Sequence, residues 1–168
     1  MNQFKIILIV IAATALGLGA IIWFTRPDTV NNQQGSLSSG TAGTLLSEES
    51  MFDFGKISMR EGNVFHVFKI KNTGTGSVTV DKVYTSCMCT TATLKVGSSK
   101  KGPFGMQGHG SIPRINTPIG PGEEATVEVV FDPTAHGPAG VGKIERIVYV
   151  ENTGPNTLEF QISAEVTP

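Results

Sequence analysis

Two cysteines, Cys87 and Cys89, are the residues best suited to chemistry, because they are the only thiols of the chain and one residue separates them. On an extended strand both thiols would project from one face, with Cα atoms about 6.6 Å apart, near the upper limit for a disulfide. A disulfide would be strained in that geometry, yet it is the usual state of cysteines in an oxidising compartment. The pair could also remain as two packed free thiols, or bind a metal.

A soft-metal site is the sharpest of these hypotheses. Met106 and His109 lie three residues apart in a loop whose glycines would let the backbone turn both side chains toward one ion. With Cys87 and Cys89 they would form a ligand set suited to Cu(I), and less well to zinc. His136 is a weaker candidate, because the surrounding DPTAHGP is typical of a turn in which the imidazole satisfies backbone groups.

Some residue patterns resemble those of catalytic sites, but the residues around them do not support catalysis. Residues 137–143, GPAGVGK, have the glycine and lysine spacing of a phosphate loop, but no hydroxyl residue follows the lysine and a strand is predicted next. Glu123 and Glu124 are adjacent, so their side chains should diverge rather than share a proton. A thiol oxidoreductase remains a lesser alternative, with only Lys82 and Lys95 near enough in sequence to lower a thiol pKa. We therefore expect no enzymatic activity.

The chain around the cysteines alternates between apolar and polar residues, which is typical of half-buried strands. Phe68 and Ile70 fall on one face of the predicted strand, and Phe65 and Val67 on the other. His66 shares the face of Phe68, where a hydrogen-bonded structural histidine is expected rather than a ligand.

The same pattern recurs through the second half of the chain. Strands are predicted at residues 51–54, 64–71, 78–84, 125–131, 144–150 and 158–166. We expect the second and third of these to form a hairpin around an Asn-Thr-Gly turn, and the last two to flank the turn ENTGPNT. No helical window follows residue 26, so the predicted class is all-β, an immunoglobulin-like β-sandwich.

A long insertion interrupts this rhythm at residues 97–121, which are rich in glycine and proline and show little strand character. Loops of this length are functional or disordered. The apolar residues Phe104, Met106 and Ile112 favour a functional, anchored loop.

The first 26 residues predict a membrane anchor, one transmembrane helix preceding the sandwich. Residues 6–24 are 19 uncharged, mostly apolar residues between Lys5 and Arg26. As a helix they would extend about 28 Å, close to the hydrocarbon thickness of a bilayer. Cleavage after the small residues near position 15 would leave an apolar stretch on the mature chain, so we expect an uncleaved signal-anchor.

The remaining chain divides into a linker and a domain. Residues 27–45 are mostly Asn, Gln, Gly and Ser and predict a flexible linker, and residues 46–168 are long enough for a core. No Lys or Arg occurs from residue 27 to 55, which favours an extracytoplasmic domain on a single-pass membrane protein. Beyond residue 26, 11 Lys and Arg face 14 Asp and Glu, a net charge of −3, so nucleic acid is not an expected partner.

Five segments in order, FDFGKI, KNTGTGSVTVDKV, SCMCT, PGEEATVEVVFDP and ENTGPNTLEFQISAEV, carry a resemblance. Together they resemble the bacterial immunoglobulin-like domain-of-unknown-function family 1573, whose hallmark is Ser-Cys-Gly-Cys-Thr. Met88 replaces the hallmark glycine, and the segment GPFGMQGHG lies outside the minimal pattern. The resemblance implies a sandwich used for scaffolding or docking and no established enzyme activity.

The sequence as a whole thus favours a membrane-tethered, extracytoplasmic binding or scaffolding module. The expected partner is a protein or another envelope component. The alternative is a copper-handling domain that uses Cys87, Cys89, Met106 and His109.

Overall fold

The computed structural model describes residues 43–168, and all its regular elements there are strands apart from two short 3-10 turns, Met59–Glu61 and Gly137–Gly140. The strands are β1 Leu45–Leu46, β2 Met51–Ser58, β3 Val64–Asn72, β4 Val78–Thr85, β5 Thr90–Val96, β6 Ser99–Phe104, β7 Thr117–Ile119, β8 Glu124–Phe131, β9 Gly142–Asn152 and β10 Leu158–Thr167. The predicted all-β class is confirmed for this part of the chain.

The strands form two five-stranded sheets. The first has the order β1-β3-β8-β5-β6 and the second β2-β10-β9-β4-β7. Every neighbouring pair is antiparallel except β2 and β10, which run parallel. Strands β9 and β10 form the predicted hairpin, with Leu158 opposite Val150 and Val166 opposite Gly142.

The core lies between the sheets because one face of nearly every strand is apolar. On β8 the inward residues are Val127, Val129 and Phe131, as the alternation predicted, and all three are buried. Phe68 of the first sheet stacks on Phe160 of the second, with ring centroids 4.5 Å apart. The largest fully buried side chains come from both sheets: Phe68, Phe160, Leu45, Ile70, Leu94, Ile119, Ile162, Val78, Val80, Val83, Val127 and Val129.

The predicted hairpin between residues 64–71 and 78–84 is wrong. Strand β3 pairs with β8 in the first sheet, and β4 pairs with β9 and β7 in the second. Asn72 is fully buried at the end of β3, where its side chain accepts from Gly74 N and donates to Gly76 O. These bonds fix a crossing between the sheets, and alternation alone cannot distinguish that crossing from a tight hairpin because both place one apolar face inward.

The insertion at residues 97–121 contains more strand than expected. It holds β6 and β7 on either side of an irregular stretch, and the strand β5 before it, which lies between β8 and β6, was not predicted. Strand β5, TTATLKV, packs small threonines and an alanine into the core, so it lacks a strong apolar alternation. Of the predicted apolar anchors, Phe104 packs against the core, while Met106 and Ile112 are partly buried.

The N-terminal predictions concern residues that lie mostly outside the described part of the chain. The predicted anchor at residues 1–26 and most of the linker at 27–45 are not among them. Leu45, assigned to the linker, is buried and pairs with Asn72, so the fold starts before residue 46. Between residues 43 and 168 the structure has no helix with the length and hydropathy to cross a bilayer.

Candidate functional site

The two cysteines lie in a turn, residues 86–89, that carries the chain from β4 in one sheet to β5 in the other. We call it the cysteine turn. The cysteines do not lie on an extended strand, and the turn brings their Cα atoms to 5.3 Å, within the ordinary range for a disulfide. Cys87 and Cys89 form a disulfide in the structure. Of the three interpretations of the pair, a disulfide, two free thiols or a metal site, the structure therefore has the first.

Hydrogen bonds from neighbouring strands hold the cysteine turn in place. Ser86 N donates to Ile147 O and Ser86 Oγ accepts from Ile147 N, both at 2.9 Å. Thr85 Oγ1 donates to Cys87 O at 2.9 Å, and Asp132 N donates to Cys89 O at 2.8 Å. The turn is therefore fixed to β9 on one side and to the end of β8 on the other.

His136 reaches the cysteines, although the sequence ranked it below His109. Its Nε2 lies 3.2 Å from Cys87 Sγ. The loop after β8 positions it: Asp132 Oδ1 accepts from Thr134 N at 2.8 Å, and Gly137 N donates to Thr134 O at 2.8 Å. Gly137 has a φ of 55°, which favours glycine and lets the loop reverse at the histidine.

His109 is not part of this cluster. Among the described residues, the His, Cys, Asp and Glu side chains that converge here are Cys87, Cys89 and His136, and His109 is exposed in a separate turn. Met106 comes closer, because it forms a backbone bridge with Thr85 at the end of β4. The sequence could not show which histidine lies beside the cysteines, because the β8 to β9 connection meets them only in the folded chain.

A positively charged side chain beside the two cysteines was also not predicted from the sequence. Arg146 Nε donates to Cys89 Sγ at 3.2 Å. The two lysines considered from sequence have other partners, since Lys82 Nζ lies 3.6 Å from Glu151 Oε2 and Lys95 Nζ lies 3.0 Å from Glu128 Oε2. Arg146 is on β9, and only the pairing of β4 with β9 brings it to the turn.

The remaining residues singled out from sequence have structural partners. His66 Nε2 lies 2.7 Å from Glu49 Oε2, and its ring stacks on Phe52 at 3.6 Å between centroids. Glu123 Oε2 accepts from Gly120 N, whereas Glu124 pairs with Lys71, so the adjacent carboxylates do diverge.

A second candidate surface is the open side of β3, formed by Phe65 and Val67 with the backbone beside them. Strand β8 covers one side of β3 along its length, whereas on the other side, among residues 43–168, β1 pairs only with Lys71 and Asn72. Phe65 is 67% exposed and Val67 is 36% exposed. We call this surface the β3 edge.

The backbone groups on the β3 edge can be assigned from the ladder. Asn72 N donates to Glu123 O on the β8 side, whereas Lys69 O accepts from Ser47 Oγ on the open side. Alternate residues of an antiparallel strand direct their N–H and C=O groups to opposite sides. Phe65 and Val67 therefore direct theirs away from β8, toward the open side.

Opposite Val67 on β8 stands Glu128, which carries a local charge pair. The hydrogen bond from Lys95 Nζ lowers the pKa of Glu128 below its ordinary value. A carboxyl whose pKa is lowered by folding stabilises the folded state above its unfolded pKa, and loses that contribution as the pH falls through the folded pKa.

Replacing Lys95 with Met should therefore destabilise the fold at neutral pH and not in acid. The pair is partly exposed, so we expect a loss of about 0.5 kcal/mol at about pH 7, and none once the carboxyl is protonated. Urea denaturation of the wild type and Lys95→Met, at neutral pH and at an acidic pH where Glu128 is protonated, checks this. An equal loss at both would show that lysine packing, not charge, is responsible.

Comparisons with known proteins agree with this fold. Residues 45–105 match the model of a family described as Protein of unknown function (DUF1573). No curated protein matches the chain in sequence. The crystal structure of a protein of unknown function from Porphyromonas gingivalis W83 is similar, with a TM-score of 0.57 and 17% identity over 79% of this chain and 51% of that one. This chain thus spans about half the length of that protein.

Two further solved structures show weaker likeness. The Vibrio cholerae VesB protease has a TM-score of 0.49 and 13% identity over 74% of this chain and 32% of its own. The PapD-like domain 7 of human CEP192 has a TM-score of 0.44 and 17% identity over 76% of this chain and 87% of its own. The match to the DUF1573 family model over residues 45–105 confirms the resemblance that the ordered series of motifs predicted.

Proposed function

We propose that this protein is a membrane-tethered, extracytoplasmic binding module whose partner is an extended segment of another protein. The domain works by docking and not by catalysis. The β3 edge is the observation that supports this function most directly, because it joins backbone groups that no strand of residues 43–168 pairs with to exposed apolar side chains.

Strand addition suits the β3 edge. A strand with one side unpaired is a template for another chain, since its N–H and C=O groups can continue the ladder. Most other sheet edges of residues 43–168 are protected: β7 is three residues long, and β6 carries Lys100, Lys101 and Pro103. The β3 edge instead offers Phe65 and Val67, and the exposed Lys69 beyond them.

The chemistry of the edge defines the partner. A strand laid beside β3 would place alternate residues over Phe65 and Val67, so these should be apolar. An acidic residue at the next alternate position would meet Lys69. The expected ligand is therefore a short extended segment with alternating apolar residues and one carboxylate.

The Val67→Pro variant tests the docking function. Proline removes the N–H that points to the open side and leaves the bonds to β8 in place, so the fold should persist. The probe is a library of immobilised peptides with Val, Ile, Phe or Glu at alternate positions, offered to the full chain in mild detergent. We expect Val67→Pro to weaken the best peptide at least tenfold, or about 1.4 kcal/mol.

The matched control is Val67→Thr, which keeps the N–H and a β-branched side chain. It should bind within a few fold of the wild type, because ladder hydrogen bonds supply most of the affinity. Equal binding by the wild type and Val67→Pro, or no peptide bound by the wild type, would contradict docking at this edge.

The location of the domain needs its own experiment. Alkaline phosphatase fused after Pro168 folds and works only outside the bacterial cytoplasm, so the proposed topology predicts an active fusion. An inactive but intact fusion would place the domain in the cytoplasm and contradict the topology.

A further inference from the structure

Three soft donor atoms converge at the cysteine turn. The Sγ atoms of Cys87 and Cys89 and a ring nitrogen of His136 all lie within 4.8 Å of one another. We propose that this cluster is a redox-gated Cu(I) site, closed while the cysteines are joined and open to the ion once they are reduced.

The donor types favour copper in its reduced state. Two thiolates and an imidazole are soft ligands, which select Cu(I) or zinc over hard ions. Structural zinc sites take four ligands. The described residues bring together three donors from Cys and His here, which matches the low coordination number that Cu(I) accepts.

The charge around the site also favours Cu(I) over zinc. Two thiolates with Zn²⁺ form a neutral unit, whereas two thiolates with Cu(I) carry one negative charge. The guanidinium of Arg146, whose Nε is 3.2 Å from Cys89 Sγ, would offset that charge. A donated N–H to a ligating sulfur also orients the ligand, as groups around metal ligands commonly do.

The redox state of the disulfide determines whether the ion can bind. A dithiol reductant transfers two electrons and two protons to the Cys87–Cys89 bond, which breaks to give two thiols while the reductant forms its own disulfide. Cu(I) binding then releases the two thiol protons and forms two Cu–S bonds. In the oxidised chain the sulfurs are bonded to each other, so no thiolate is available to the ion.

An ion can reach the cluster from solvent. Met88, between the two cysteines, is 53% exposed, and His136 is exposed. Cys89 is 3% exposed, so the ion would enter on the side of Cys87 and His136. The fixed bonds of Ser86 and Asp132 would keep the turn in place while the sulfurs separate.

The test is a Cu(I) titration of the full chain in mild detergent, under anaerobic conditions, against a chromogenic Cu(I) chelator. The reduced wild type should withdraw one equivalent of Cu(I), and the oxidised wild type none. His136→Asn should bind at least about tenfold more weakly, because it removes the nitrogen ligand, and even the loss of a group that only hydrogen-bonds to a ligand commonly costs that much. His109→Asn, the matched control, should bind like the wild type.

Several results would overturn the site. The first is Cu(I) uptake by the reduced wild type that is no greater than uptake by the Cys87→Ser, Cys89→Ser double variant. The second is an affinity of His136→Asn for Cu(I) equal to that of the wild type. The third is a loss of Cu(I) affinity in His109→Asn as large as the loss in His136→Asn. X-ray absorption of the loaded wild type should show two sulfurs and one nitrogen, and a spectrum without nitrogen would also overturn it. This last measurement needs no variant, so a folding defect cannot obscure the answer.

Discussion

Phe68→Ala should destabilise the domain by about 3 to 5 kcal/mol, as large-to-small changes of buried phenylalanine do. Phe68 is fully buried and stacks across the sandwich on Phe160, so its removal leaves a cavity that both sheets border. The described cysteines pair within one turn and do not join the strands across the core. Urea denaturation followed by far-UV circular dichroism measures the loss.

Phe65→Ala is the matched control on the same strand. Phe65 is 67% exposed on the outer face of β3, so its truncation should change the free energy of unfolding by about 0.5 kcal/mol or less. Similar losses in the two variants would mean that β3 does not face the core as described.

Asn72→Asp should also destabilise the fold strongly, although it changes only one side-chain group. Asn72 is fully buried, and its Nδ2 donates to Gly76 O at 2.8 Å and to Ile119 O at 2.9 Å. In Asn72→Asp a carboxylate oxygen would take the place of Nδ2. It would face the carbonyl oxygens of Gly76 and Ile119 and would have no proton to donate to either. Leaving buried polar groups unpaired costs about 1 to 3 kcal/mol each, so we expect roughly 2 to 6 kcal/mol in urea denaturation.

Asn152 provides the control, because it occupies the equivalent place in the second Asn-Thr-Gly turn. Its Nδ2 donates to Asn156 O at 2.9 Å and to Val150 O at 3.2 Å, but the residue is only partly buried. Water can replace those bonds in Asn152→Asp, so the loss should be about 1 kcal/mol. A loss in Asn152→Asp as large as in Asn72→Asp would show that burial does not determine the cost.

Much of the fold could be predicted from alternation alone. Strands whose inward residues are large and branched, such as β8 with Val127, Val129 and Phe131, are evident in the sequence. Strand β5 was missed because Thr90, Ala92 and Thr93 are small or polar yet buried. The partner of β3 was wrong because alternation shows which face is buried but not which strand lies beside it.

The candidate metal cluster was predictable only in part. One residue separates Cys87 from Cys89, so their pairing could be considered from spacing. His136 and Arg146 lie 49 and 57 residues from their cysteine partners, and both are brought there by the strand order. Local spacing instead favoured His109, whose glycine-rich loop ends elsewhere on the surface.

The parallel pairing of β2 with β10 affects how the domain matures during synthesis. Among residues 43–168, β2 has β10 as its one neighbour in the second sheet, and Met51 on β2 lies opposite Gln161 on β10. Strand β2 must therefore wait, without this partner, until β3 to β9 and then β10 have been made. Contacts this distant in sequence slow folding, so the nascent chain should depend on a holding chaperone until β10 arrives.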